Sequence, residues 1–194
     1  MKQGKKIITI AGKLGSGKSS AAKKLASMLS LDHFSSGDFL REVAMERGLT
    51  IKELIIAAES DTKIDHDVDQ VLRDKGDKEN LIIDSRLAFH WIPESFKVYL
   101  EIDPDLAASR MLLDLDTNES RQQSEHAVNI KEMKVNMLER HESDVRRYKN
   151  LYGIDHTNHD NFDLVIDTGL FQNDLDSVVK KIIEGYLVHL KGTE

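Results

Sequence analysis

The chain has no cysteine. Disulfides and thiolate metal sites are therefore excluded. Proline is almost as scarce: Pro93 and Pro104 are the only two, and both fall at expected element boundaries. No apolar stretch approaches the roughly 20 residues that cross a bilayer. Met1 to Lys6 lead straight into a strand-like run, so neither a signal peptide nor a membrane partner is expected. Basic residues are outnumbered, 27 Lys and Arg against 34 Asp and Glu, for a net charge of −7. That balance argues against nucleic acid as the main partner. The eight histidines include no H-E-x-x-H spacing. His156 and His159 stand three apart in a polar loop and are given no role. Together these absences point to a cytoplasmic protein, with monomer as the default.

What is present begins with Gly12-Lys13-Leu14-Gly15-Ser16-Gly17-Lys18-Ser19. This is a G-x-x-x-x-G-K-[ST] loop, whose backbone N–H groups wrap around phosphate. Lys18 reaches the outer phosphates, and the Ser19 hydroxyl suits Mg²⁺. Gly12, Lys13, Gly15, Ser16, Gly17, Lys18, Ser19 and Ser20 are thus the expected binding loop for ATP. The context fits the motif. Lys6 to Ala11 is a β-branched run suited to a buried parallel strand, and Ala21, Ala22, Leu25, Ala26 and Leu29 stripe a helix after it.

Further strand-like runs are Asp32 to Ser35, Leu81 to Asp84, Phe96 to Ile102 and Asp163 to Asp167, with helix-like segments between them. The alternation predicts a three-layer αβα P-loop NTPase fold around a five-stranded parallel sheet. At 194 residues, one domain is expected. Its core covers 1–35, 76–109 and 153–194. Two insertions interrupt it, a mostly helical one at 36–75 and a polar, charge-rich lid region at 110–152. The last helix shows one apolar face from Leu175 through Val178, Ile182 and Tyr186 to Leu190, read as core packing. Phe89, Trp91 and Phe96 read as one core cluster.

Both insertions carry candidate ligand residues. Ser36-Gly37-Asp38 reads as a helix start with Ser36 or Asp38 as N-cap, and Arg41 one turn later suits a phosphate. Asp61 and Asp65, four apart, are expected on one helical face, where they serve a base amino group, Arg41, or only solvent. Asp84 ends the third strand where a Walker-B-like acid orients Mg²⁺, and Arg86 follows it. In the lid region Arg110, Arg121, Arg140, Arg146 and Arg147 are available. Arg140 and Arg147, seven apart on a helix expected from Asn129 to Tyr152, share a face. Glu139, Glu142 and Asp144 among them allow the plainer reading of a solvated, salt-bridged surface. Residues 114–126 match no pattern.

The P-loop, Ser36-Gly37-Asp38-x-x-Arg41 and Asp84-Ser85-Arg86-Leu87-Ala88 together resemble the nucleoside monophosphate kinases. The similarity is greatest to the short, archaeal-like form of the cytidylate kinase family. The late segment Arg147-Tyr148, then Tyr152-Gly153-Ile154-Asp155, also resembles that family, over roughly residues 6–168. The resemblance implies transfer of the ATP γ-phosphate to CMP or dCMP. It implies that Arg41 and Arg86 grip the acceptor phosphate, and that Ser36 and Asp38 line the nucleoside pocket. It makes Arg140 and Arg147, then Arg110, catalytic lid arginines beside Lys18. Ser85 replaces a glycine found in many relatives. Open alternatives are another acceptor (AMP, UMP or a non-nucleotide alcohol) and a nucleotide-binding regulator.

Overall fold

The computed structural model describes residues 6–115, 122, 127 and 129–192. Five parallel strands form one sheet in the order β2-β3-β1-β4-β5. They are β1 (Ile7–Gly12), β2 (Asp32–Ser35), β3 (Leu81–Asp84), β4 (Phe96–Glu101) and β5 (Leu164–Asp167). The central strands β1 and β3 are buried throughout, as their unbroken apolar runs require. Parallel register aligns the strand ends: Ile10 pairs with Asp84, Ser35 with Asp84, Gly12 with Leu100, and Glu101 with Asp167. One sheet edge therefore collects the P-loop, Ser35, Asp84 and Glu101, where α/β folds bind ligands.

Helices cover both faces. Ile8, Ile10, Ile82, Val98 and Leu100 pack on one side against α1 (Lys18–Leu29) and the last helix, α8 (Leu175–Gly192). On the other side Ile7, Leu81 and Ile83 meet Leu72 of α4 (Lys63–Gly76), the short α5 (Ala88–Trp91), and Tyr148 of α7 (Ile130–Tyr152). Phe96 belongs to the first cluster, whereas Phe89 and Trp91 belong to the second. They do not form one group, because the sheet separates them. The apolar face of α8 is also narrower than its sequence stripe. Tyr186 is 8 % exposed and packs on Phe96, as does His189 one turn on, but Leu187 is 53 % exposed, since it lies about 100° around the helix from Tyr186.

The insertion after β2 forms α2 (Ser36–Glu46), α3 (Ile51–Ala58) and α4, with a small core of Ala44, Ile51, Leu54, Ile55, Ala58 and Ile64. The N-cap of α2 is Ser35, one residue earlier than expected. Its hydroxyl accepts from the Asp38 N–H at 3.2 Å, because Ser36 already has helical backbone. Helix α4 begins at Lys63, so Asp61 precedes it and shares no helical face with Asp65. Asp61 instead accepts from the Lys63 N–H at 3.1 Å and stands exposed, 4.0 Å from Arg47. After β4 come α6 (Pro104–Leu115) and α7, joined by Met111, Leu115, Met133 and Met137. Asn129 caps α7 by accepting from the Glu132 N–H at 2.9 Å.

Candidate active site

The loop from Gly12 to Ser19 turns tightly between β1 and α1. Gly12 has φ +140°, and a Cβ there would lie 2.2 Å from the Leu100 carbonyl oxygen. Gly15, at φ +73°, would bring a Cβ within 2.7 Å of the Ala107 carbonyl of α6. Only glycine fits these two approaches. The Lys13 carbonyl faces into the loop and accepts from Ser16 Oγ at 2.8 Å and Lys18 Nζ at 2.6 Å. Lys13's own ammonium turns outward to Glu101, at 2.5 Å, and Glu101 also meets His159 Nε2 at 2.9 Å. Burial opposes the Glu101 charge, but Lys13 and His159 hold its pKa below the ordinary value.

Beside the loop lies a cleft of about 220 Å³ lined by Gly15, Gly17, Lys18, Ser19 and Ser20, with Ser36 and Arg41 from α2. Asp84, Ser85 and Arg86 reach it from the end of β3, Arg110 and Asp114 from α6, and Arg140 from α7. Ser19 donates a short hydrogen bond to the Asp84 carboxylate, which lies 3.4 Å from Ser35 Oγ. Arg41 is 6 % exposed and donates to Asp38 at 2.5 Å. Asp38 faces Lys23 at 3.8 Å and is not part of the cleft wall. Burial works against its charge, and Arg41 outweighs that to lower its pKa. Arg110 donates to Asn173 Oδ1 at 2.7 Å and to Thr168 at 3.2 Å. A second cavity of about 260 Å³ continues past Gly17, Ser20 and Arg110 to Thr168, Phe171 and Asn173.

The expected pairing of Arg140 with Arg147 does not place both at the cleft. Arg140 lines it; Arg147 is 6 % exposed and turned into the protein. Its Nε donates to Asp65 at 2.9 Å and its Nη2 to Asp144 at 3.0 Å. Asp144 also stands 3.0 Å from Arg86 Nε. Burial disfavours the Asp144 charge, but Arg86 and Arg147 overcome it and lower the pKa. At Asp65 burial prevails and raises the pKa, because its one cation, Arg147, is shared with Asp144, and Asp144 and Asp69 lie nearby. Asp61 lies outside the cleft. Arg146 is on the surface, 2.9 Å from Glu59. Arg121 lies outside the described residues.

Asp144, which the sequence offers only as part of a solvated surface, is 1 % exposed, and Glu101, Thr168 and His156, to which the sequence assigns no role, also stand close to these elements. Asp144 had a signal: it follows Arg140 by four and precedes Arg147 by three, so all share one helical face. His156 had none. It is 4 % exposed, its ring stands against Tyr148 at 5.1 Å, and its Nδ1 has no hydrogen-bond partner among the described residues. Burial first, and then the neighbouring Arg86 charge, push its pKa down to about 4. In the unfolded chain histidine titrates near 6.5. Between pH 6.5 and 4 the unfolded state therefore binds a proton that the native state refuses. Stability rises with pH across that window, by at most about 1.4 kcal/mol per pH unit. Urea unfolding at several pH values should show this slope, and His156→Gln should reduce it, leaving the part that the lowered His33, His90 and His141 contribute. An unchanged slope in the variant would refute the assignment.

Comparison with known proteins agrees with this geometry. Residues 11–134 match a family described as AAA domain. The chain is 35 % identical to a cytidylate kinase of Haloarcula marismortui, covering 93 % of this chain and 90 % of that one. It is 32 % identical to a cytidylate kinase of Methanopyrus kandleri, covering 93 % and 94 %. Among solved structures, a shikimate kinase from Bacteroides thetaiotaomicron superposes with TM-score 0.62 over 92 % of this chain and 97 % of that one. At 14 % identity that likeness concerns the fold alone. A P-loop at the edge of a parallel sheet, ringed by arginines from both insertions, and this extent of identity lead to one conclusion: the chain belongs to the cytidylate kinase family of P-loop kinases.

Proposed function

We propose that this protein transfers the γ-phosphoryl group of ATP to CMP or dCMP, giving CDP or dCDP and ADP. One observation carries the reading. Lys18 and Ser19 of the phosphate loop share a single cleft with Arg41 and Arg86, which come from two other elements. A hydrolase or a switch needs one phosphate site; a kinase for a phosphorylated acceptor needs two that face each other.

The donor phosphates lie along Gly15 to Ser20, and the donor base extends past Arg110 toward Thr168 and Asn173. The acceptor phosphate sits between Arg41 and Arg86, with Ser36 beside its nucleoside in the 36–75 insertion. The 110–152 region closes over the transferring group and excludes water. An acceptor phosphate oxygen attacks the γ-phosphorus, and the bond from that phosphorus to the β,γ-bridging oxygen breaks. The attacking oxygen is already anionic, so no strong base is required. Lys18, Arg140 and Arg110 neutralise charge spread over the moving group. Arg110 also ties the donor-base cavity to the phosphate cleft.

The donor set fits Mg²⁺. A serine hydroxyl and a carboxylate meet at the cleft, both hard oxygen ligands. Among the described residues no cluster of three or more His, Cys, Asp or Glu could hold a metal. Ser19 and Asp84 would hold Mg²⁺, and it would supply charge neutralisation at the β- and γ-oxygens.

The same reading places the enzyme in the cytoplasm as a monomer acting on small molecules. Among the described residues no helix is long and apolar enough to cross a membrane. A coupled ADP-release assay with ATP and a panel of CMP, dCMP, UMP and AMP tests the proposal. Turnover should be highest with CMP or dCMP. No turnover with any pyrimidine monophosphate would overturn it, and ATP consumption indifferent to acceptor would favour the regulator.

A further inference from the structure

Four charged side chains form a buried chain of alternating sign from the acceptor insertion to the cleft. Asp65 on α4 receives Arg147 Nε at 2.9 Å and Nη2 at 3.3 Å. Arg147 Nη2 also donates to Asp144 at 3.0 Å, and Asp144 meets Arg86 Nε at 3.0 Å. Asp65, Arg147 and Asp144 are each no more than 7 % exposed; Arg86 alone reaches the cleft. We infer that Asp65 is a positioning residue for the acceptor-phosphate grip, acting through Arg147 and Asp144 on the guanidinium of Arg86.

Two observations separate this role from simple docking of α4. First, the helix is held without Asp65. Asp69, one turn on, accepts from Trp91 Nε1 at 2.9 Å and from the Tyr152 hydroxyl, while Leu72 packs in the core below the sheet. Second, a buried ion pair stabilises no better than apolar side chains of the same shape, so stability alone does not account for a carboxylate here. What the carboxylate does supply is direction. With Asp65 in place, Arg147 spreads its donors over Asp65, Ser143 and Asp144 Oδ1, while Asp144 Oδ2, which accepts no hydrogen bond among the described residues, pairs with the Arg86 charge at 3.0 Å. Without its charge, Arg147 is drawn fully onto Asp144 and competes with Arg86 for it.

The inference rests on the reading that Arg86 grips the acceptor phosphate, and a double-mutant cycle separates the two. Asp65→Asn should raise the acceptor KM by about fivefold, with kcat and the ATP KM within about twofold. Arg86→Ala should raise the acceptor KM further, and adding Asp65→Asn to it should change nothing more. If Arg86→Ala leaves the acceptor KM unchanged, the site reading itself fails. If Arg86→Ala raises it but Asp65→Asn does not, or lowers it as simple removal of a negative charge predicts, only the positioning role fails. Full additivity in the double variant also refutes action through Arg86. Should Asp65→Asn not fold, Asp65→Glu keeps the charge but displaces it, and should raise the acceptor KM by about twofold in the same cycle.

Discussion

Lys18→Ala should lower kcat by at least about 10²–10³-fold, the cost of removing one preorganised charge-stabilising donor, while the protein stays folded. The lysine opens α1 and lines the phosphate cleft. Its ammonium reaches back to the Lys13 carbonyl at 2.6 Å, inside the loop that would hold the phosphates. The fold asks little of that contact, because Gly12 and Gly15 already set the loop backbone against Leu100 and Ala107. Chemistry asks more of it. Phosphoryl transfer develops charge on the moving group, and Lys18 is the loop's own cation in the cleft wall. Thermal unfolding should shift by only a few degrees while single-turnover transfer collapses. Near-normal transfer would move the role to Arg140 or Arg110.

Asp144→Ala should have the largest effect on stability, about 3–5 kcal/mol, because it breaks a buried ion network from its centre. The carboxylate is 1 % exposed and stands between Arg86 and Arg147. Its removal leaves two guanidinium groups facing each other, with Asp65 as the remaining acid of the chain. For a protein of this size the loss corresponds to a fall in Tm of about 6–20 °C. Glu142→Ala, two residues earlier on the exposed side of α7, should cost less than about 0.5 kcal/mol. Differential scanning calorimetry on the two variants makes the comparison. Equal, small losses would mean that the network is solvated rather than buried.

The phosphate loop was fully legible in the sequence, because its spacing encodes backbone geometry that only glycine adopts. The strands were legible because buried parallel strands read as unbroken apolar runs. Arg41 and Arg86 were legible for a related reason: each follows a strand end closely, and parallel register brings those ends to one edge. Asp61 was misplaced because a spacing of four implies a shared face only inside a helix, and α4 starts two residues later. Asp38 stands outside the phosphate cleft, where Arg41, three residues on, takes its carboxylate.

The lid arginines mark the boundary between the two kinds of information. Sequence periodicity put Arg140 and Arg147 on one face of α7, and it fixed their cationic character. Seven residues also separate them by about 10 Å along the helix axis. What faces a helix changes over that distance. Arg140 meets the phosphate cleft, while Arg147 meets Asp65 of α4. By itself the sequence determined a P-loop kinase core and a supply of cations in the segments beside it. The tertiary structure alone decided which cations line the cleft and which are spent holding them, because that depends on contacts between elements far apart in the chain.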